Sequence, residues 1–146
     1  MDHIVYLDHQ AKELENLLSG QKTMIIRGAM GRKLPHGRVD VGDTLYFIRN
    51  NSEGLIRAKA LVSDVHHSEK LTTESSHAMV DKNKDKLLLD TRLLKRFSGK
   101  RYLVLISVSR LTPLEPFGID RSDYKTMDDW LPVNDIASVH LKVNTL

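Results

Sequence analysis

Residues 19–27 read Ser-Gly-Gln-Lys-Thr-Met-Ile-Ile-Arg and join the end of one predicted element to the start of the next. Upstream of them, apolar residues recur at helical spacing between positions 11 and 18, and Gly20 stands where a helix commonly ends in a left-handed conformation. Downstream, the β-prone run 23–26 is closed by Arg27. The segment therefore predicts a helix followed by a strand, and we expect it to form the working surface of the domain.

The same kinds of pattern place further elements along the chain. Strands are predicted at 4–7, 23–26, 44–49, 55–65 and 102–108 with a last one at 136–143, and helices at 11–18, 72–83 and 90–99. Asp90 is the predicted N-cap of the third helix, and residues 113–133 are turn-rich. Five or six short strands with two or three helices indicate an α+β domain, in which a strongly bent sheet or small barrel carries helices at its edges.

Composition narrows the class of protein. The 146 residues are 40% hydrophobic, so residues 1–146 are expected to form a single domain with one core. A net charge of +3 is too small to announce nucleic-acid binding by itself, but basic residues concentrate at 21–40 and 82–101 and acidic residues at 112–135. The sequence contains no cysteine, which excludes disulfides and thiolate chemistry. We expect a cytoplasmic protein without a membrane span, because the longest apolar run is residues 102–106.

The order of these motifs resembles the ASCH domain of the PUA-like superfamily. The resemblance rests on Leu18-Ser19-Gly20-Gln21-Lys22-Thr23, the strand ending in Arg27, the strand entry Val41-Gly42-Asp43 and the strand 56–62. It covers about residues 4–110 and leaves 111–146 as a C-terminal elaboration. It implies a small PUA-like β-barrel with a cleft between the barrel and its helices. ASCH relatives are associated with RNA binding, and one branch resembles amidohydrolases that remove acyl groups from modified nucleosides such as acetylated cytidine.

The resemblance also tests the chain for that hydrolytic chemistry. In the hydrolytic branch the motif lysine, here Lys22, assists a threonine nucleophile three residues later, but this chain has Ile25 at that position. Isoleucine has no hydroxyl to attack a carbonyl, and strand alternation points the neighbouring Thr23 away from Lys22. Glu74 and Asp81 are the acids nearest to the place where the branch has one. Hydrolysis with Lys22 assisting is therefore the alternative hypothesis, and whether the protein is an enzyme stays open.

The leading hypothesis is an RNA- or nucleotide-binding module with a basic cleft beside the Ser-Gly-x-Lys-Thr motif. The expected ligand contacts are made by a set of cations and one aromatic residue: Lys22, Arg27, Arg32, Lys33, Arg38 and Trp130. Glycines and a proline in the loop after Arg27 let the backbone approach a phosphate. Three alternatives stay open: Lys22 caps the first helix, Arg27 pairs with Asp43, and Trp130 packs in the core rather than folding over the cleft mouth.

No cofactor or metal is expected. The adjacent His66 and His67 should point to opposite faces of a strand, and the other histidines lack ligand spacing. The expected partner is RNA or a nucleotide-like ligand, with a basic protein docking on the acidic tail as a further possibility. The oligomeric state stays open.

Overall fold

The computed structural model describes residues 1–124, 126 and 128–141. Six strands are present in this part of the chain: β1 (Asp2–Leu7), β2 (Met24–Ala29), β3 (Thr44–Arg49), β4 (Leu55–His67), β5 (Tyr102–Gly118) and β6 (Trp130–Asn134). Four α-helices accompany them: α1 (Glu13–Leu18), α2 (Thr73–Lys82), α3 (Lys84–Leu87) and α4 (Thr91–Phe97), with a 3-10 turn at Ile136–Ser138. Within the described residues, no helix combines the length and the apolar composition needed to cross a bilayer.

All six strands belong to one curled sheet with the order β2-β5-β4-β3-β1-β6. β1 and β3 run parallel, whereas every other neighbouring pair is antiparallel. The long strands β4 and β5 pair with three register shifts along their length. Because such irregularities increase twist and bend a strand, the sheet rolls into a half-barrel, and the predicted α+β class is confirmed.

Alternation along β2 divides the apolar residues between two clusters. Ile25 faces the inside of the half-barrel, where Leu14 and Leu17 of α1 cover the same core. Met24 and Ile26 face outward and pack against helices α2, α3 and α4. A third cluster lies on the outer side of β1, β3 and β6. Because successive side chains of a strand point to opposite faces, β2 contacts the barrel core on one face and the helices on the other.

Helices α2 and α4 begin where the sequence predicts, whereas α1 begins two residues later than predicted, at Glu13. Thr72 accepts a bond from the backbone N–H of Ser75 in a capping box, and Asp90 accepts one from Leu93 N–H at 2.8 Å, which confirms the predicted N-cap. The helical region contains three helices rather than two because Leu88, with φ 48°, ends α3 in the left-handed conformation.

The C-terminal third differs from the prediction. Residues 113–118 continue β5, and residues 130–134 form β6, where a turn-rich segment was expected. Pro113, which has no backbone N–H, is accommodated beside a register shift of the β4/β5 ladder. The predicted strand 136–143 is wrong for its described part, which is the 3-10 turn followed by one isolated bridge between Ile119 and His140. Residues 142 and 143 lie outside the described residues.

Candidate anion-binding site

Arg27 lies near the end of β2 and is 94% buried, with only 6% of its surface exposed. One terminal nitrogen of its guanidinium donates to the carbonyl oxygen of Tyr6 at 2.7 Å, and the other donates to that of Ile26 at 2.8 Å. Its central carbon lies 5.7 Å from the centre of the Trp130 ring, within cation–π range. The Nε nitrogen is buried without a hydrogen-bond partner. The cation is therefore held rigidly, with its Nε donor left unused.

Two cavities meet at this arginine, with volumes of about 190 and 220 Å³. Their walls share Arg27, Arg96, Phe97 and Asp129. The smaller cavity is also lined by Gly28, Ala29, Lys33, Leu34 and Asp128, and the larger by Tyr6, Asp8, Glu13, Asn50 and Leu93. We call the two cavities together the Arg27 cleft. It lies between the half-barrel and α4, where the family resemblance implies a cleft.

Acidic side chains face the cations of the cleft. Asp129 Oδ2 lies 3.4 Å from Arg27 Nε and 3.5 Å from a terminal nitrogen of Arg96. Asp128 Oδ1 lies 3.6 Å from Lys33 Nζ. Charge-assisted hydrogen bonds are shorter, at about 2.7–2.9 Å. The carboxylates therefore neutralise these cations at ion-pair distance without forming close hydrogen bonds.

Lys22 lies behind the cleft rather than on its surface. It is 1% exposed, and its Nζ donates to the carbonyl oxygen of Leu87 and lies 3.3 Å from Glu13 Oε2. Burial lowers the pKa of Lys22, while the Glu13 carboxylate opposes that effect. Its backbone N–H also donates to Asn16 O at the end of α1, so a capping contact does occur through the main chain. Lys22 thus approaches the cleft only through Glu13, which lines the larger cavity.

The predicted position of Trp130 over the cleft mouth is wrong. Trp130 is 0% exposed, and its indole N–H donates to Nδ1 of His3 at 3.1 Å. His3 Nε2 in turn bonds to Asp43 Oδ2 at 2.8 Å. The alternative pairing of Arg27 with Asp43 is therefore also wrong, because Asp43 is engaged by His3 and Asp129 faces Arg27. Trp130 contributes to the site as the buried ring against which the Arg27 guanidinium packs.

The loop cations do not form one surface. Lys33 lines the smaller cavity, but Arg32 lies over the Tyr102 ring at 5.6 Å and Arg38 is exposed outside both cavities. Two histidines fix this loop: His36 Nε2 donates to Ser68 O at 2.8 Å, and His67 contacts the main chain of residues 37–39. Of the predicted cations, the structure therefore brings together Arg27 and Lys33.

The sequence reasoning did not single out four residues that line the cleft: Glu13, Arg96, Asp128 and Asp129. Arg96 belongs to the basic stretch 82–101, and the two aspartates belong to the acidic stretch 112–135. The opposite charges of these stretches were the available signal that they meet in space.

The position that carries the nucleophile in the hydrolytic branch offers no reactive group here. Ile25 is 0% exposed and packs inside the half-barrel. Glu74 and Asp81 are exposed on α2, and neither lines the Arg27 cleft. Among the described residues, no group of three or more histidine or acidic side chains is placed to hold a metal ion.

Comparison with known proteins identifies the fold. No protein-family model matches the chain, and no curated protein matches it. The crystal structure of ASCH from Zymomonas mobilis superposes with a TM-score of 0.67 at 11% identity, covering 98% of each chain. A tyrosine-to-phenylalanine variant of that protein gives 0.62 at 11% identity over 88% of this chain and 84% of that one. The crystal structure of hypothetical protein PH0355 gives 0.52 at 15% identity over 78% of this chain and 100% of that one. The chain therefore has the fold of these ASCH structures.

Proposed function

We propose that the protein binds RNA or nucleotides by holding a phosphate group in the Arg27 cleft. The observation that carries the proposal is the buried Nε donor of Arg27, which has no hydrogen-bond partner in a residue that lines both cavities. A buried donor without a partner costs about 1–3 kcal/mol. A ligand oxygen at this position removes that cost, so the site favours an acceptor-rich group.

The cations around this donor suit a phosphate. The guanidinium of Arg27 is fixed by two main-chain carbonyls, whereas Arg96 and Lys33 are more than half exposed and free to adjust. Arginine offers a planar fork of donors, and lysine offers a point charge. A phosphate presents several acceptor oxygens, enough to reach all three cations at once.

The volumes of the cleft suit one nucleotide unit rather than an extended strand. The smaller cavity, of about 190 Å³, contains Lys33 and takes the phosphate. The larger cavity, of about 220 Å³, has Tyr6 and Phe97 among its lining residues beside polar Asn50, and takes the sugar or base. The ASCH fold supports RNA binding in general but not this division of the cleft, since RNA binding is associated with ASCH relatives.

The experiment is a binding titration of fluorescently labelled single-stranded RNA by anisotropy, with unlabelled mononucleotides as competitors. Arg27→Gln removes the central cation, and Arg38→Gln removes an exposed loop cation outside the cleft. We expect Arg27→Gln to weaken binding about tenfold or more and to reduce the salt slope by about one, with little change for Arg38→Gln. Competition by mononucleotides at similar affinity identifies a nucleotide site, whereas competition only by oligonucleotides identifies an RNA site.

Equal affinities of the wild type and folded Arg27→Gln would overturn the proposal. Equal losses in the two variants would do the same, because general charge would then explain the binding. Circular dichroism of Arg27→Gln verifies that the buried substitution has left the fold intact.

A further inference from the structure

Two adjacent acids form ion pairs with the cations that the proposed ligand would bind. Asp128 and Asp129 precede β6, while the cations that they face come from three other places: Arg27 from β2, Lys33 from the loop after β2, and Arg96 from α4. Two adjacent negative charges on one segment thus stand where a phosphate would stand.

The contacts of this acidic pair are loose. All three ion-pair distances are 3.4–3.6 Å, and Arg27 Nε gains no hydrogen bond from Asp129. A phosphate oxygen at normal charge-assisted distance makes a closer bond to the same donor. The ion pairs with Asp128 and Asp129 therefore stabilise the cations less than a phosphate at hydrogen-bond distance would.

The backbone of the pair is fixed, whereas its carboxylates have room to turn. The carbonyl oxygen of Asp129 accepts from Tyr6 N–H at 2.9 Å, and the next residue, Trp130, is fully buried. The backbone N–H of Asp128 donates to Thr126 Oγ1 at 3.1 Å. The side chains of Asp128 and Asp129 are 25% and 39% exposed, so rotation of each side chain takes its carboxylate into water.

We propose that Asp128 and Asp129 are an internal competitor, whose carboxylates pair with the cations of the Arg27 cleft until an anionic ligand displaces them. This inference rests on the proposed phosphate site and specifies how that site is regulated. Because two carboxylates must leave three cations, the cleft favours groups with at least two negative charges, such as a terminal phosphate, a pyrophosphate or two adjacent phosphodiesters. An anion with a single negative charge gains too little from the cations to offset the loss of the ion pairs with Asp128 and Asp129.

The test measures how neutralising the pair changes affinity. Asp128→Asn/Asp129→Asn removes both charges and keeps the side-chain shapes, and Asp123→Asn removes one acid from the same segment outside the cleft lining. Two probes are titrated at low salt: inorganic pyrophosphate by calorimetry and labelled single-stranded RNA by anisotropy. We expect the double variant to bind pyrophosphate about tenfold more tightly than the wild type, with less than about threefold change for Asp123→Asn.

Asp128→Asn alone guards against a folding defect, because the cation that Asp128 faces among the described residues is the exposed Lys33. It is expected to give a smaller gain of the same sign. Tighter pyrophosphate binding that Arg27→Gln abolishes supports the internal competitor, even if RNA binds to neither protein and the proposed function fails. Unchanged or weaker binding of both probes by the folded variants overturns the competitor. If wild-type RNA binding still depends on Arg27 in that case, the proposed function stands alone.

Discussion

Trp130 donates its indole N–H to Nδ1 of His3 across 3.1 Å, and this bond requires an unprotonated Nδ1 on the histidine. The remaining ring proton therefore lies on Nε2, which donates to Asp43 Oδ2 at 2.8 Å. The strand-entry motif Val41-Gly42-Asp43 thus ends in an acid that orients a buried histidine, and the histidine in turn supports the tryptophan beneath Arg27.

This arrangement predicts a loss of stability in mild acid. Burial lowers the pKa of His3 below its usual 6.5, against the opposing effect of Asp43. Below about pH 6.5 the unfolded chain takes up a proton that the folded chain does not bind. Stability therefore falls with decreasing pH, by at most about 1.4 kcal/mol per pH unit, until the lower folded pKa is reached. Thermal unfolding followed from pH 7.5 to 5 measures the effect.

His3→Gln is the control for this profile, because glutamine retains a donor for Asp43 and does not titrate. Its stability should change less over the same range. Parallel profiles for the two proteins would show that His3 does not contribute. Burial raises the pKa of the Asp43 carboxyl, but the hydrogen bonds from His3, from the Asp40 N–H and from the N-terminus together outweigh it. The pKa of Asp43 is therefore lowered, and its own contribution is lost only at more acidic pH.

The buried pair of Lys22 and Glu13 predicts a strong dependence of each residue on the other. Lys22→Met leaves the Glu13 carboxylate, in a residue that is 6% exposed, without its cation. We expect a loss of about 3–5 kcal/mol in the free energy of unfolding, measured by urea titration. Lys22→Met/Glu13→Gln should lose less than the single variant, because the amide oxygen still accepts the N–H of Asp8. A double variant that loses the sum of the two single changes would contradict the coupling.

The close packing around Gly28, in the wall of the cleft, leaves no room for a larger side chain. A Cβ at this position would lie 2.8 Å from Cδ2 of the buried Leu103 and 3.3 Å from the carbonyl oxygen of Tyr102. Gly28→Ala should therefore destabilise the fold by about 1–3 kcal/mol and weaken ligand binding at the adjacent Arg27. Gly31→Ala is the matched control, since a Cβ there meets nothing within 4 Å. Chemical denaturation of both variants checks the difference, and equal stabilities would refute it.

Two hydrogen bonds of His67 hold the loop that carries Lys33 in place. Its Nδ1 accepts from Gly37 N–H at 3.0 Å, and its Nε2 donates to Val39 O at 2.9 Å. His67→Ala should raise amide exchange in residues 30–40 and weaken ligand binding several-fold, whereas His66→Ala, at an exposed neighbouring position, should do neither. Protection that is unchanged in His67→Ala would mean that other contacts hold the loop.

Local patterns predicted most of the core. The β-prone run 23–26 identified β2, Gly20 with φ 81° marks the end of α1 as predicted, and strand 44–49 has the predicted bounds. These features depend on neighbours in sequence, whose geometry repeats from protein to protein. The length of β5 was missed because its second half is stabilised by pairing with β4 across a register shift, which no local pattern reports.

The site was predicted less completely, and for a related reason. Arg27 and Lys33 were identified from their charge and position, but the partner of Arg27 was not. Asp129 reaches Arg27 only because β6 pairs with β1, and that pairing is not encoded near either residue. Burial decided the roles of Lys22 and Trp130. A sequence shows that a side chain is charged or aromatic, but the packing around it determines whether a ligand can touch it.

The contact between His3 and Trp130 spans 127 positions in the sequence. Closing so long a loop is costly before the contacts that it permits have formed. Asp128, Asp129 and the ring beneath the central arginine of the cleft therefore come into place together, when β6 pairs with β1. Ligand affinity consequently serves as a reporter of completed folding, because a chain that has built its barrel without this last strand has not yet assembled a cleft that discriminates between anions.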